Sequence, residues 1–373
     1  MPLSFRLASF YFTFFSFAGV YVAYFPPYLA SRGFSAGEIA WVIALPQIAR
    51  VFAPAGWGWL ADRSGAQRGI VAFSCAANML CFGALPFAAS FVSIAALVAV
   101  SSVLSAGALP LVEAITLGSL AASPGRYGPI RLWGSAAFAA VVLGGGYWLD
   151  VRTVDAVPLG MAAFSLASLA AGLWLPRGQP QAHQGSPFQW TRPMLALLGA
   201  GFCMAMAHGA LYAFFTLHLQ REGYSGALIG FLWTLGVLAE MLVFVLLPLL
   251  FRRYSLSAIL LASLGCAVLR FLAIGWGAAE LSILLIAQLL HAATFGAFHA
   301  ASVAAVHRVF PPGAHGRGQT LFSSLAYGAG GAAGALAAGW SWQAGGPAAA
   351  FTGSAVAAMA GIFLALQLRR ANV

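Results

Sequence analysis

Eight ionisable side chains sit where the surrounding chain is apolar: Arg50, Glu113, Arg131, His208, Glu240, Arg270, His291 and His299. A charge at the centre of a bilayer costs about 2.5 kcal/mol or more, so such groups are few and face a polar cavity or one another. Their types suggest two chemistries. An arginine offers a planar fork of donors that matches a carboxylate, so Arg50 or Arg131 can hold an acidic solute. Glu240, within reach of Arg270 or His291, is a candidate proton-binding acid. His208, His291 and His299 supply polar lining that can titrate. The competing reading for each group is a structural ion pair or a hydrogen-bonded histidine that stabilises a helix bundle.

The elements that must carry these groups follow from composition. The chain has 373 residues, of which 61% are hydrophobic and 7% charged, and its mean hydropathy is +0.89. A soluble domain carries about a quarter charged residues. The apolar residues form runs of roughly 20, the length of a helix that crosses the hydrocarbon core. Strands of a membrane barrel would be about ten residues long and would alternate in polarity, and no such pattern occurs. The reading is about twelve spans, near 8–30, 38–61, 69–88, 92–122, 128–149, 155–175, 194–220, 227–251, 256–277, 281–307, 317–341 and 347–368. The four cysteines all fall within spans, so neither a disulfide framework nor a metal site is expected.

The net charge of +10 comes from arginine alone, since the chain has no lysine. Among arginines outside the spans, Arg32, Arg152 and Arg221 fall on one side and twelve on the other. That bias places the rich side, with both termini, in the cytoplasm of a bacterial inner membrane. Scattered arginines of this kind do not make a nucleic-acid surface.

A shift of 190 residues overlays the first two spans on the seventh and eighth without a gap. Gly19 meets Gly209, Gly33-Phe34-Ser35 meets Gly223-Tyr224-Ser225, and Arg50 meets Glu240. A shift of 186 puts Glu113 opposite His299. Two parallel repeats are expected: a six-helix bundle over 1–176, a cytoplasmic linker over 177–193, and a second bundle over 194–373.

The loop after the second span carries Gly58, Asp62, Arg63, Gly65 and Arg68. It resembles the conformational signature of the major facilitator superfamily. In this reading Gly58 permits close helix approach and Gly65 a tight turn. The segments Gln47–Arg50, Tyr127–Ser135, Gly236–Glu240 and Gln288–His291 are similar to the 3-phenylpropionate permease group, which is related to the oligosaccharide and nucleoside proton symporters. The resemblance spans essentially the whole chain. It implies an all-α membrane protein of two pseudo-symmetric six-helix bundles, and proton-coupled uptake of a small organic solute by alternating access. An aromatic monocarboxylate comes first, a sugar or nucleoside second. A drug antiporter is disfavoured because its span-5 motif is absent from Trp133 to Trp148.

The resemblance also matches Glu113, Arg131, Glu240, Arg270 and His291 to the charged set of the sugar symporters. One departure stands out: those proteins place an acid one turn after the span-10 histidine, and Ala293 to Phe295 offers none. Phe10, Phe14, Phe17, Tyr21, Tyr24 and Tyr28 recur at spacings of three and four along the first span. Tyr21 and Tyr24 of this stripe are candidates to face a flat solute, although a packing stripe reads the same way. Glycines at 144–146 and at 328, 330, 331, 334 and 339 suit close helix contact.

An enzyme is not expected: no nucleophile–base pair, metal cluster or phosphate-cradling loop is visible, and His291 and His299 lie about two turns apart. A sensor of transporter shape is the remaining alternative. The expected partners are the solute, protons and lipid, with no cofactor and no nucleic acid, and the protein is expected to work as a monomer.

Overall fold

A computed structural model describes residues 2–178 and 188–370. Most of the linker expected over 177–193 therefore lies outside the described residues. Those described are helical or in short connections, and none is in a strand. The helices are α1 (Leu3–Ser31), α2 (Ala36–Ser64), α3 (Gln67–Ala84), α4 (Phe91–Ser105), α5 (Ala108–Ser119), α6 (Tyr127–Val151) and α7 (Val157–Leu173), followed by α8 (Arg192–Ala207), α9 (Gly209–Arg221), α10 (Gly226–Arg253), α11 (Leu256–Gly277), α12 (Leu281–Leu289), α13 (Phe298–Val309), α14 (His315–Phe322) and α15 (Gly331–Arg370).

Among the described residues, eleven helical segments are long and apolar enough to cross a membrane. The last runs from His315 to Arg369, 55 residues. At 1.5 Å per residue that is roughly 80 Å, far more than one hydrocarbon core. It is broken at Gly345 and Gly346, the latter at φ 69°, ψ −161°, just before Pro347. Only glycine adopts that backbone without strain. The segment thus comprises the eleventh and twelfth spans. Leu242, Val245 and Leu249 of α10 are all exposed, by 61%, 75% and 61%, a face suited to lipid and not to water.

The repeat is built into the connections. Gly33 and Gly223 take φ of 81° and 83°. Phe34 N–H then donates to Leu29 O at 3.3 Å, and Tyr224 N–H to Leu219 O at 3.1 Å. These bonds close two helices through a left-handed residue. Ser35 and Glu38 form a reciprocal cap at the start of α2, and the Ser225 hydroxyl accepts Leu228 N–H at the start of α10.

The chain forms two compact units. The first is Met1–Phe34, Ile48–Ala182 and Ser225–Gly230; the second is Ser35–Gln47, His183–Tyr224 and Phe231–Val373. The starts of α2 and α10, equivalent under the repeat, thus each pack within the unit that does not hold the rest of their helix. In the first unit, Asp150 accepts the N–H of Gly226 at 2.5 Å and of Ala227 at 2.8 Å, capping α10. Gly146 there meets the Gly226 carbonyl with no room for a methyl group. In the second unit, Gly339 of α15 lies as tightly against Ala40.

Candidate functional sites in the two units

In the first unit the polar cluster is built by α1, α2, α5 and α6. α4 stops at Ser105 and α5 restarts at Ala108, with Gly107 pressed against the Trp57 side chain. On α5, Glu113 faces Arg131, one turn into α6, with Nε to Oε1 3.9 Å. The two side chains are 39% and 29% exposed, so the pair is open enough to exchange partners. The Arg131 guanidinium lies 4.1 Å above the Phe15 ring and 5.4 Å from the Tyr11 ring, close enough for cation–π attraction. Gly134, one turn further on, leaves space for both the guanidinium and Phe15. Tyr11 donates to Thr116 Oγ1 at 3.3 Å. Arg50 is exposed on α2, and its charge acts on Glu113 together with that of Arg131.

Tyr21 and Tyr24 sit differently. Tyr24 donates to the Val142 carbonyl and packs its ring on Gly145, so its hydroxyl is already bound to the neighbouring helix. Tyr21 lies among Phe17, Phe25 and Phe82, and its buried hydroxyl has no hydrogen-bond partner among the described residues.

The second unit holds His208, Glu240, Arg270, His291 and His299. The seventh span breaks at His208, between α8 and α9, and the ring Nδ1 bonds Met204 O at 2.8 Å. The tenth span loosens into a π-helix over Ala292–Ala297, and the eleventh over Ser323–Gly330. Such widened turns recur at functional sites. His291, Phe295 and His299 stack along the tenth span with ring centroids 5.3 and 6.3 Å apart. His299 is hydrogen-bonded to Tyr327 Oη at 2.7 Å. His208 approaches both His291 and Phe295 at 6.4 Å.

Glu240 is paired with His291, Oε2 to Nε2 3.7 Å. Arg270 is 1% exposed and bonds three neutral oxygens: Ala287 O at 3.0 Å, Thr294 Oγ1 at 3.0 Å and Gln288 Oε1 at 3.2 Å. Of the two partners expected for Glu240, the structure provides the histidine. Thr294 lies one turn after His291, within the stretch that lacks the acid of the sugar symporters, and there it receives a bond from the arginine. Sequence reasoning missed Thr294, Phe15, Phe295 and Tyr327. Phe15 adjoins the aromatic stripe and Gln288 opens the Gln288–His291 segment, but nothing in the sequence marks Tyr327.

At the loop after α2, Asp62 and Arg63 are exposed, with Arg63 5.5 Å over the Trp59 ring. Gly65 has φ 65° and makes the expected turn, and Arg68 is half-buried in the first turn of α3. Gly58 requires correction. Among the described residues, a methyl group there would meet nothing within 4 Å, so none of them approaches closely at Gly58. The tight contact lies one residue earlier, at Trp57, whose indole N–H also donates to Val103 O at 2.7 Å.

The MFS_1 like family model matches residues 4–353. The chain belongs to this family. It is 33% identical over 206 residues to the "Probable 3-phenylpropionic acid transporter" of Escherichia coli, covering 52% of this chain and 53% of that protein. It is 31% identical over 222 residues to the "Maltose permease" of Geobacillus stearothermophilus, covering 59% and 55%. The chain thus aligns with about half the length of these relatives. Among solved structures, the nucleoside transporter NupG matches with TM-score 0.83 at 18% identity over 99% of both chains. The human organic anion transporter TETRAN matches with TM-score 0.65 at 18% identity, over 98% of this chain and 100% of that one. At such identities the likeness establishes the major facilitator fold. This family member is a multi-pass, all-α membrane protein.

Proposed function

We propose that the protein is a secondary active transporter that takes up a small organic carboxylate, an aromatic monocarboxylate foremost, together with a proton. It works by alternating access in a bacterial inner membrane, as a monomer with both termini in the cytoplasm. The observation that carries this reading is the half-exposed Arg131, held between the Glu113 carboxylate and the Phe15 ring. A solute carboxylate can replace Glu113 on the same guanidinium, because both are bidentate acceptors for one planar fork. The rings of Phe15 and Tyr11 extend that surface with apolar area suited to an aryl group. Support also comes from the Escherichia coli relative, whose name specifies an aromatic acid.

Proton coupling is assigned to Glu240 and His291. A carboxylate that takes up a proton becomes neutral and passes more easily through a low-dielectric environment. The His291 ring, 3.7 Å away, is the titratable neighbour of that carboxylate. Arg270 is engaged by three neutral oxygens.

In vesicles with an imposed pH gradient, the protein accumulates labelled 3-phenylpropionate. Glu240→Gln abolishes uphill uptake and leaves solute exchange intact. Undiminished uphill transport by that variant would refute the coupling role. A sugar or nucleoside substrate is the second reading, favoured by the maltose permease relative. It replaces the first if no carboxylate competes for uptake while a sugar or nucleoside does.

A further inference from the structure

A pair of histidines lies outside both polar clusters. His307 is in the last turn of α13 and His315 opens α14. Their ring centroids are 4.6 Å apart, with planes inclined by 56°. His307 is exposed, and His315 is half-buried. His315 Nε2 lies 3.1 Å from Phe310 O. A carbonyl can only accept, so Nε2 carries the proton and Nδ1 presents its lone pair. This is the arrangement of a metal-bound imidazole, whose second nitrogen usually donates to a carbonyl or carboxylate that fixes the ring. Phe310 is itself held firmly: it is 2% exposed and packs on Phe188 at 5.1 Å.

The spacing suits chelation. With metal–nitrogen bonds of about 2.0–2.1 Å at near-tetrahedral angles, two ligating imidazoles have centroids roughly 5 Å apart. The observed centroid separation of 4.6 Å is close to that value. Neutral imidazole nitrogen selects zinc, nickel or copper over magnesium or calcium, which prefer oxygen.

The geometry points to a two-histidine site for a divalent transition cation at the turn between α13 and α14. Water completes the coordination shell, since the described residues contain no cluster of three or more His, Cys, Asp or Glu side chains able to hold a metal. Two protein ligands, with Arg308 and Arg317 close by in the sequence, make this an exchangeable site and not a structural one. Binding clips the end of the tenth span to the start of the eleventh.

The test is a calorimetric titration of nickel chloride into the full chain, purified without a polyhistidine tag, at neutral pH. One nickel ion binds per chain, and magnesium chloride gives no binding heat. His307→Gln and His315→Gln each weaken nickel by about tenfold or more. Both substitutions keep a polar side chain at a position that is not fully buried, so the fold is retained. Absence of nickel binding, or unchanged affinity in the double H307Q/H315Q variant, would overturn the site.

Discussion

Arg131 and Arg270 are both arginines within membrane spans, yet their surroundings are opposite. Arg131 is 29% exposed, faces a carboxylate and rests on an aromatic ring. Arg270 is 1% exposed and is solvated by a carbonyl, an amide and a hydroxyl. A half-exposed ion pair contributes little to stability, because water and salt screen it and its partner is replaceable. A buried guanidinium has no water to fall back on, so each acceptor becomes part of its solvation. The first arrangement suits a group that exchanges ligands, the second a group that organises its neighbours.

The largest expected effect separates the two on stability. Arg270→Ala strands three buried acceptors at about 1–3 kcal/mol each, which amounts to a large loss of melting temperature in detergent. Arg131→Ala costs about 1 kcal/mol or less. Equal melting points for the two variants would break the comparison. Thr294→Val comes next: it removes one hydrogen bond to a charged donor, worth about 1.5–3 kcal/mol, and is read by the same melting assay. Here Arg270 keeps its other two partners, so a loss as large as that of Arg270→Ala would show that Thr294 acts by some other route.

On solute binding the order reverses. Arg131→Ala weakens aryl carboxylate binding by about tenfold or more, roughly 1.4 kcal/mol. Arg131→Lys restores only part of it, since lysine lacks the bidentate fork. Equilibrium dialysis with labelled carboxylate reads both, and wild-type affinity in Arg131→Ala would remove Arg131 from the solute site. The smallest effect is Phe15→Leu. It deletes a cation–π contact worth about 0.5–1 kcal/mol at an exposed site, expected as a few-fold loss of affinity with little change in melting. A larger stability loss would make Phe15 a packing residue.

Much of this was legible in the residues. The match of Gly33-Phe34-Ser35 to Gly223-Tyr224-Ser225 marked a turn whose left-handed glycine and serine cap recur in both halves. Such features are local, fixed by backbone sterics over a few residues, and so survive in sequence. Gly65 was legible for the same reason. Gly58 was misread because a glycine pattern shows where helices can approach, and the neighbouring helix decides whether they do. The contact fell to Trp57 and Gly107, 50 residues apart in the chain. Glu240 had two candidate partners in sequence, and rotamers and helix rotation selected His291.

Composition and hydropathy by themselves determined that this chain lives in lipid as helices, because an uncharged surface has no solvent but hydrocarbon and its backbone must bond within each span. They also determined which few side chains cannot face that lipid. Only the tertiary structure decided how those side chains are answered. Burial and pairing depend on the azimuth of each helix about its axis, and long-range packing sets that angle. Packing alone gave Arg131 a carboxylate and a ring, left Arg270 to neutral oxygens, and set His307 beside His315.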